Sequence, residues 1–186
     1  MTSRQAVIAA IDALESASLP YMVVGSLSSS LYGIPRSTRD ADFVIQLGDR
    51  PIQELVDGMG PKFKLDPQLS FETVTCTSRY IVNTEKGLFR IELFLLSDDP
   101  HDQERFSRRR QSQVLGRTTI VPTPEDVIVT KIRWSKQGQR SKDTDDARNV
   151  MAVQGGNLDW DYIHRWCDEH GTRQLLDDIR KSIPEI

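Results

Sequence analysis

The chain has 186 residues, 38% of them hydrophobic and 27% charged, with a formal net charge of −3. This length favours one domain with room for a hydrophobic core, and the composition is typical of a soluble globular protein. The slightly acidic balance excludes a global basic field for non-specific nucleic-acid binding, so any RNA contact has to come from local patches.

The sequence carries no signal for export or membrane insertion. Asp12 and Glu15 interrupt the apolar residues near the N-terminus, and no segment reaches membrane length. Cys76 and Cys167 lie far apart and form no metal or redox spacing. We therefore expect a cytoplasmic protein with reduced cysteines and no membrane partner.

The first three predicted elements are a helix, a strand and a short helix. An apolar stripe predicts an amphipathic helix over residues 3–18, and the β-branched run 21–24 predicts a buried strand. The strand ends at Gly25-Ser26, where a glycine lets the backbone approach a ligand closely. The free N–H groups of a helix that starts there suit a phosphate group.

Two acids lie on the next predicted strand, residues 39–45. Asp40 and Asp42 are two positions apart, so both side chains point to one face of a strand. Adjacent carboxylates repel each other unless a cation lies between them, and Mg²⁺ takes such oxygen donors when substrate phosphates complete its shell. Solvated acids on an edge strand are the alternative. The apolar residues around them and the nearby Gly-Ser turn favour the metal site.

The middle of the chain predicts a short helix and a β-hairpin. Pro51 suits the first turn of a helix around residues 52–56, and residues 62–78 fit either a strand or an irregular segment. Residues 79–83 and 88–96 predict a hairpin with a glycine-containing turn. Glu92 is the only charge in the run 91–96. It either points to solvent or joins Asp40 and Asp42, because unpaired buried carboxylates are rare.

A basic cluster follows at residues 108–110, at the end of a predicted polar helix that begins at His101. Three consecutive arginines on a helix cannot all face one ligand, which favours a solvated helix end that offsets the helix dipole. A patch for a triphosphate or an RNA backbone is the alternative. Residues 114–121 predict one more β segment or hairpin.

The last third of the chain predicts helices. Thr123 and Pro124 are typical of a helix start, and this helix extends to about residue 137 with Lys131 in an apolar setting. A second helix begins near Lys142. Residues 158–183 predict two more helices separated at Gly171, with apolar stripes that favour packing in the core.

These motifs resemble a known superfamily. Gly25-Ser26, a gap of thirteen residues and then Asp40-Ala41-Asp42 resembles the signature of the DNA polymerase β-like nucleotidyltransferases. Residues 33–40, with Arg36 and Thr38, are similar to the abortive-infection (AbiEii-type) toxin branch. Lys131 followed by Arg140, Lys142-Asp143 and Asp146 resembles the distal motif of that branch.

The resemblance implies an α/β (α+β) fold, a nucleotidyltransferase-type mixed β-sheet flanked by helices. It implies a nucleotidyltransferase core over residues 1–121 and a C-terminal helical part, residues 122–186, packed on that core. The implied activity is Mg²⁺-dependent transfer of a nucleoside monophosphate from an NTP to an acceptor hydroxyl, with release of pyrophosphate. The resemblance leaves three classes of acceptor open: the 3′ end of an RNA such as a tRNA, a protein, and a small molecule. It also implies a further partner, either a cognate antitoxin or a second copy of the chain in a homodimer.

The resemblance also assigns roles to residues. Asp40, Asp42 and Glu92 would hold two Mg²⁺ ions, although the superfamily usually has Asp at the third position. Further NTP-binding residues would be Gly25, Ser26, Arg36, Thr38, Arg39 and Lys131. Asp143 would orient the triphosphate or the acceptor.

A second class of function stays open at this point. The chain could be a regulatory or antitoxin-like module that keeps the fold and nucleotide binding without transfer. The Glu at position 92, the Ala41 spacer and the modest positive charge favour this alternative.

Overall fold

The computed structural model describes residues 1–85, 87, 89–138 and 141–184. The α-helices are α1 (Ser3–Ser16), α2 (Gly25–Tyr32), α3 (Ile52–Met59), α4 (Pro100–Ser107), α5 (Pro124–Gly138), α6 (Ser141–Gln154), α7 (Trp160–Glu169) and α8 (Arg173–Lys181). The strands are β1 (Tyr21–Val24), β2 (Asp40–Ile45), β3 (Phe63–Leu65), β4 (Ser70–Glu72), β5 (Thr77–Thr84), β6 (Arg90–Leu95), β7 (Arg110–Val114) and β8 (Arg117–Val121).

The main sheet is mixed and has the order β1-β2-β6-β5-β3, with β4 also paired to β5. The central pair β2 and β6 is parallel, whereas β1 is antiparallel to β2 and β5 is antiparallel to β6. Strands β7 and β8 form a separate antiparallel hairpin. The predicted mixed α/β fold is therefore confirmed.

The period-2 alternation of β2 separates the two faces of the sheet. Ala41, Phe43 and Ile45 belong to the main hydrophobic core together with apolar residues of α1 and α3. On the opposite face, Val44 belongs to a smaller apolar cluster with Met22, Val24, Phe94 and Phe106. Asp40 and Asp42 share the face of Val44, so the paired acids lie on the side away from the main core.

The segment that the sequence left open, residues 62–78, contains two short strands. β3 and β4 both pair with β5, at residues 82–84 and 77–79 respectively. The predicted hairpin is confirmed as β5 and β6, while Lys86 and Leu88 of its turn lie outside the described residues. Pro51 is the N-cap of α3 rather than a residue of its first turn.

The helix predicted over residues 101–110 is too long, because the basic cluster at residues 108–110 lies beyond its last residue. Helix α4 ends at Ser107, and Arg110 already pairs with Val121 in the β7–β8 hairpin. The three guanidinium groups face different rings: Arg108 lies over Tyr162, Arg109 over Phe106 and Arg110 over Tyr32.

The C-terminal helices pack against each other and against α2. Thr123 caps α5 as predicted, because its Oγ1 accepts a hydrogen bond from the backbone N–H of Asp126. Helix α2 contacts both α5 and α6. The domain division at residue 121 stays a prediction, and Arg140 lies outside the described residues. Over the described part of the chain, no helix combines the length and apolarity needed to cross a membrane.

Candidate active site

Three neighbouring strands bring the predicted acids and the Gly-Ser turn together. The register pairs Val24 of β1 with Asp42 of β2, and Asp42 with Glu92 of β6. Helix α2 begins at Gly25, directly after Val24. The carboxylates therefore lie at the N-terminus of α2, where the first backbone N–H groups have no partner within the helix.

Gly25 is required at this turn for two separate reasons. Its φ is +64°, in the left-handed region that disfavours residues with a Cβ. A Cβ at this position would lie 1.9 Å from Oδ2 of Asp42. The absent side chain thus makes the space in which the Asp42 carboxylate lies against the start of α2.

The two acids on β2 lie close to Glu92, and these like charges oppose one another more strongly than Lys131 and Lys142 offset them. Burial, and then the charges of Glu92 and Asp40, raise the pKa of Asp42 to about 7. Asp40 accepts a hydrogen bond from the Thr38 hydroxyl, 2.6 Å from its Oδ1. A cation between these carboxylates would favour the ionised form of Asp42.

Glu92 is buried and paired with arginines, which rules out its alternative as a solvated strand residue. Its side chain is 8% exposed, and Arg79 Nη1 lies 2.9 Å from its Oε2. Arg90 Nε lies 3.1 Å from the other carboxylate oxygen. Both oxygens of Glu92 are therefore occupied by guanidinium groups that flank the residue.

A second network joins α2, α5 and α6 around Asp146. Lys131 Nζ lies 2.8 Å from Asp143 Oδ1 and 2.8 Å from Asp146 Oδ2. Arg36 binds both oxygens of Asp146 and donates from Nη2 to Ser26 Oγ at 2.8 Å. Burial alone would raise the pKa of Asp146, but the hydrogen bond from Arg36 and the charge of Lys131 hold it below its usual value.

Most of the predicted site residues line one cleft on this face of the sheet. They are Gly25, Ser26, Asp40, Asp42, Glu92, Lys131 and Asp143. Arg36 and Thr38 are one hydrogen bond away, through Ser26 and Asp40. Arg39 is exposed and is not among the lining residues.

Three cationic residues of the cleft, Arg79, Arg90 and Arg105, were not predicted from the sequence, and Lys142 was predicted only as part of the distal motif. The spacing of Arg90 and Glu92 could have shown that they share a face of β6. Arg79 depends on the pairing of β5 with β6, which places it opposite Phe94. Arg105 comes from α4, so only tertiary packing brings it to the cleft.

The oxygen donors of the cleft fit a magnesium ion whose remaining ligands come from a substrate. No three His, Cys, Asp or Glu side chains among the described residues are arranged to hold a metal ion by themselves. Asp40 and Asp42 supply two hard oxygen donors, and Mg²⁺ is commonly held by one or two carboxylates plus substrate phosphates. Both oxygens of Glu92 are already paired with arginines, so its role as a third metal ligand stays a prediction.

The fold of the chain, a mixed sheet flanked by helices, is similar to that of solved nucleotidyltransferase-like structures. It is similar to ANT(2″)-Ia, described as an antibiotic-resistance factor, with a TM-score of 0.61 at 13% identity over 94% of each chain. A second structure of ANT(2″)-Ia, in complex with adenylyl-2″-tobramycin, gives 0.61 at 14% identity over 91% of this chain and 99% of that one. An antigenic nucleotidyltransferase-like protein from Paracoccidioides brasiliensis gives 0.55 at 17% identity over 100% and 95%.

These similarities confirm the predicted fold class. At 13–17% identity they establish architecture alone. No protein-family profile matches the chain, and no curated protein matches it in sequence. The AbiEii-type branch stays a prediction.

Proposed function

We propose that the protein is a Mg²⁺-dependent nucleotidyltransferase that transfers a nucleoside monophosphate from an NTP to an acceptor hydroxyl. The observation that carries this proposal is the convergence of Asp40, Asp42 and the start of α2 in one cleft of a nucleotidyltransferase fold. Paired carboxylates beside free backbone N–H groups suit a metal-bound triphosphate.

Some groups of the cleft would bind phosphate oxygens, and others would supply positive charge to the triphosphate. The N–H groups at the start of α2 would bind the terminal phosphates. Ser26 Oγ accepts a hydrogen bond from Arg36, so its own proton is available to a phosphate oxygen. Lys131 and Lys142 would add positive charge from the opposite wall. Mg²⁺, when bound, supplies charge neutralisation for the triphosphate.

The branch of the superfamily and the class of acceptor are proposed from the sequence motifs. The contacts of Lys131 with Asp143 and Asp146 link the residues of the distal motif and support the AbiEii-type branch. A member of that branch would act in the cytoplasm on a tRNA acceptor. It would be bound by a cognate antitoxin or would form a homodimer. ANT(2″)-Ia, crystallised with an adenylylated tobramycin, supports a small-molecule acceptor instead, and a protein hydroxyl is the third class.

A nucleotide-binding module without transfer activity is the second candidate. Both oxygens of Glu92 are bound by arginines, and Lys131 is held by two carboxylates. Both side chains are therefore already paired within the protein, which favours a module that binds nucleotide without using them in transfer. Calorimetric titration with each NTP and Mg²⁺, followed by an assay for pyrophosphate, separates the candidates, because the module binds NTP without releasing pyrophosphate.

The transferase is tested with α-labelled NTPs and a cell lysate. The wild type should move label to RNA, protein or a metabolite, and the fraction that carries the label identifies the acceptor class. The double variant Asp40→Asn, Asp42→Asn should lose this transfer by at least about 100-fold, since it lacks both proposed metal ligands. Asp49→Asn changes an exposed acid just after β2 and should leave transfer unchanged. Transfer retained in the double variant contradicts the proposal.

A further inference from the structure

Beyond Glu92 the cleft continues across the strands toward β5, away from the Gly-Ser turn that follows β1. The sheet order places β1 and Gly25 at one side of Asp42, and β6 and β5 at the other. In phosphoryl transfer the attacking and leaving oxygens lie roughly in line on opposite sides of the phosphorus. If the pyrophosphate leaves at Gly25, the acceptor hydroxyl enters from the side of β6 and β5.

The part of the cleft formed by β5, β6 and α4 carries one more positive than negative charge, and Asp40 of β2 lies beside its Arg90. Its charged lining residues are three arginines, Arg79, Arg90 and Arg105, and two acids, Glu92 and Asp102. Asp102 is paired with Arg105. Glu92 is shared between the other two guanidinium groups, so one carboxylate balances two positive charges.

The two arginines beside Glu92 are held in different ways. Arg79 lies over the Phe94 ring at 5.6 Å from its centroid, which adds a cation–π contact to its pair with Glu92. The Arg90 side chain is 51% exposed and has Glu92 as its carboxylate partner. Arg90 can therefore turn toward a ligand at the mouth of the cleft while Arg79 keeps Glu92 paired.

From this charge distribution we infer that the acceptor is an anion, a compound whose reacting hydroxyl lies close to a phosphate group that Arg90 binds. The inference rests on the proposed function and names the acceptor class of the same site. Guanidinium groups bind phosphate oxygens through paired N–H donors, whereas a polycation such as an aminoglycoside would be repelled by the excess charge. In the reaction, the acceptor oxygen bonds to the α-phosphorus, the bond to the β-phosphate oxygen breaks, pyrophosphate leaves, and the hydroxyl proton passes to water.

Two sources share this chemistry, the 3′ end of an RNA strand and a small sugar phosphate, and direct binding distinguishes them. A short RNA with a free 3′ hydroxyl, ribose 5-phosphate and tobramycin are titrated separately into the wild type. Each titration is run with and without Mg²⁺ and a non-transferable α,β-methylene NTP. We expect one of the two phosphate compounds to bind and tobramycin not to bind.

The variant Arg90→Gln tests the contact itself. It should weaken binding of the phosphate compound by about 10-fold and lower the slope of log affinity against log salt by about one. Arg148→Gln is the matched control, because Arg148 on α6 is a partly exposed arginine that pairs with Asp145 and is not among the lining residues. It should change neither quantity.

The outcomes separate this inference from the proposed function. Tobramycin binding in the cleft, or phosphate-compound binding that Arg90→Gln leaves unchanged, overturns the inference even when NTP binds normally. Failure of the wild type to bind any NTP with Mg²⁺ overturns the proposed function instead. The titrations without nucleotide still show whether Arg90 binds the phosphate compound in that case.

Discussion

Asp42 has the most strongly perturbed environment of the acids in the cleft. The folded state favours its protonated form, because burial and the charges of Glu92 and Asp40 raise its pKa from 3.8 to about 7. Its contribution to stability is therefore fully present below about pH 4 and is lost as the pH rises through 7. The metal-free protein is destabilised at neutral pH by the residue proposed to bind the metal.

We accordingly expect Asp42→Asn to be more stable than the wild type at pH 8 and equal to it at pH 4. The difference should reach up to about 4 kcal/mol, since each unit of pKa shift corresponds to about 1.4 kcal/mol. Thermal unfolding in EDTA, followed by circular dichroism between pH 4 and 8, measures it. A difference that does not change with pH contradicts this account of Asp42.

Gly25 and Gly48 form a matched pair for a test of the turn. Both have a left-handed backbone, with φ of +64° and +63°, but a Cβ at Gly48 would meet no atom within 4 Å. Each alanine variant should lose about 1–2 kcal/mol from the backbone strain. Gly25→Ala should lose about 1–3 kcal/mol more, because its methyl group overlaps the Asp42 carboxylate.

Urea unfolding of both glycine variants measures the two losses. NTP titration with Mg²⁺ should show weaker binding for Gly25→Ala and unchanged binding for Gly48→Ala. Equal losses of stability would mean that the Asp42 carboxylate does not depend on the space at Gly25.

At the scale of elements, Asp146 of α6 links three segments that are distant in the chain. It binds Arg36, which precedes β2, and Lys131 on α5, and it accepts a hydrogen bond from Ser29 of α2. The Asp146 side chain is 4% exposed. Its removal leaves two cations with too little compensating charge, and breaking such pairs is costly.

Asp146→Asn should therefore lower the free energy of unfolding by about 2 kcal/mol, less than a fully buried pair because Arg36 is 32% exposed. Asp145→Asn, on the preceding residue, removes only an exposed pair with Arg148 and should cost less than about 0.5 kcal/mol. Urea unfolding of both variants at pH 7 compares them. Equal effects would show that the network around Asp146 does not tie α2 to α6.

At the scale of the whole molecule, nucleotide binding should appear as thermal stabilisation that depends on the metal. An NTP that binds only the folded state stabilises it by about 2.7 kcal/mol at 100 times its Kd. For a chain of this size, that corresponds to a rise in Tm of about 5 to 10 °C.

Differential scanning fluorimetry with each NTP, in Mg²⁺ and in EDTA, measures this rise. EDTA should remove most of it, and the double variant Asp40→Asn, Asp42→Asn should show little rise in either condition. An equal rise in EDTA would indicate a metal-independent nucleotide site.

The site residues nearest to each other in sequence were the easiest to predict. The Gly25-Ser26 turn and the Asp40–Asp42 pair depend on a strand-to-helix junction and on period-2 alternation, both local properties. The helix over residues 101–110 was predicted too long for the opposite reason. Its last residue, Arg110, pairs with Val121 of β8, and that pairing is a contact between separate segments.

The amino-acid sequence by itself determined the local elements that carry the site: a buried strand that ends in glycine, two acids on one face of a strand, and a capped helix with Lys131. Backbone sterics, alternation and capping act over a few residues, so their outcome is written in neighbouring side chains. Only the tertiary structure decided that Glu92 lies beside Asp42 between two arginines, and that Asp146 joins Arg36 to Lys131. These contacts depend on strand register and helix packing between distant segments, and those are set by the burial of the whole core.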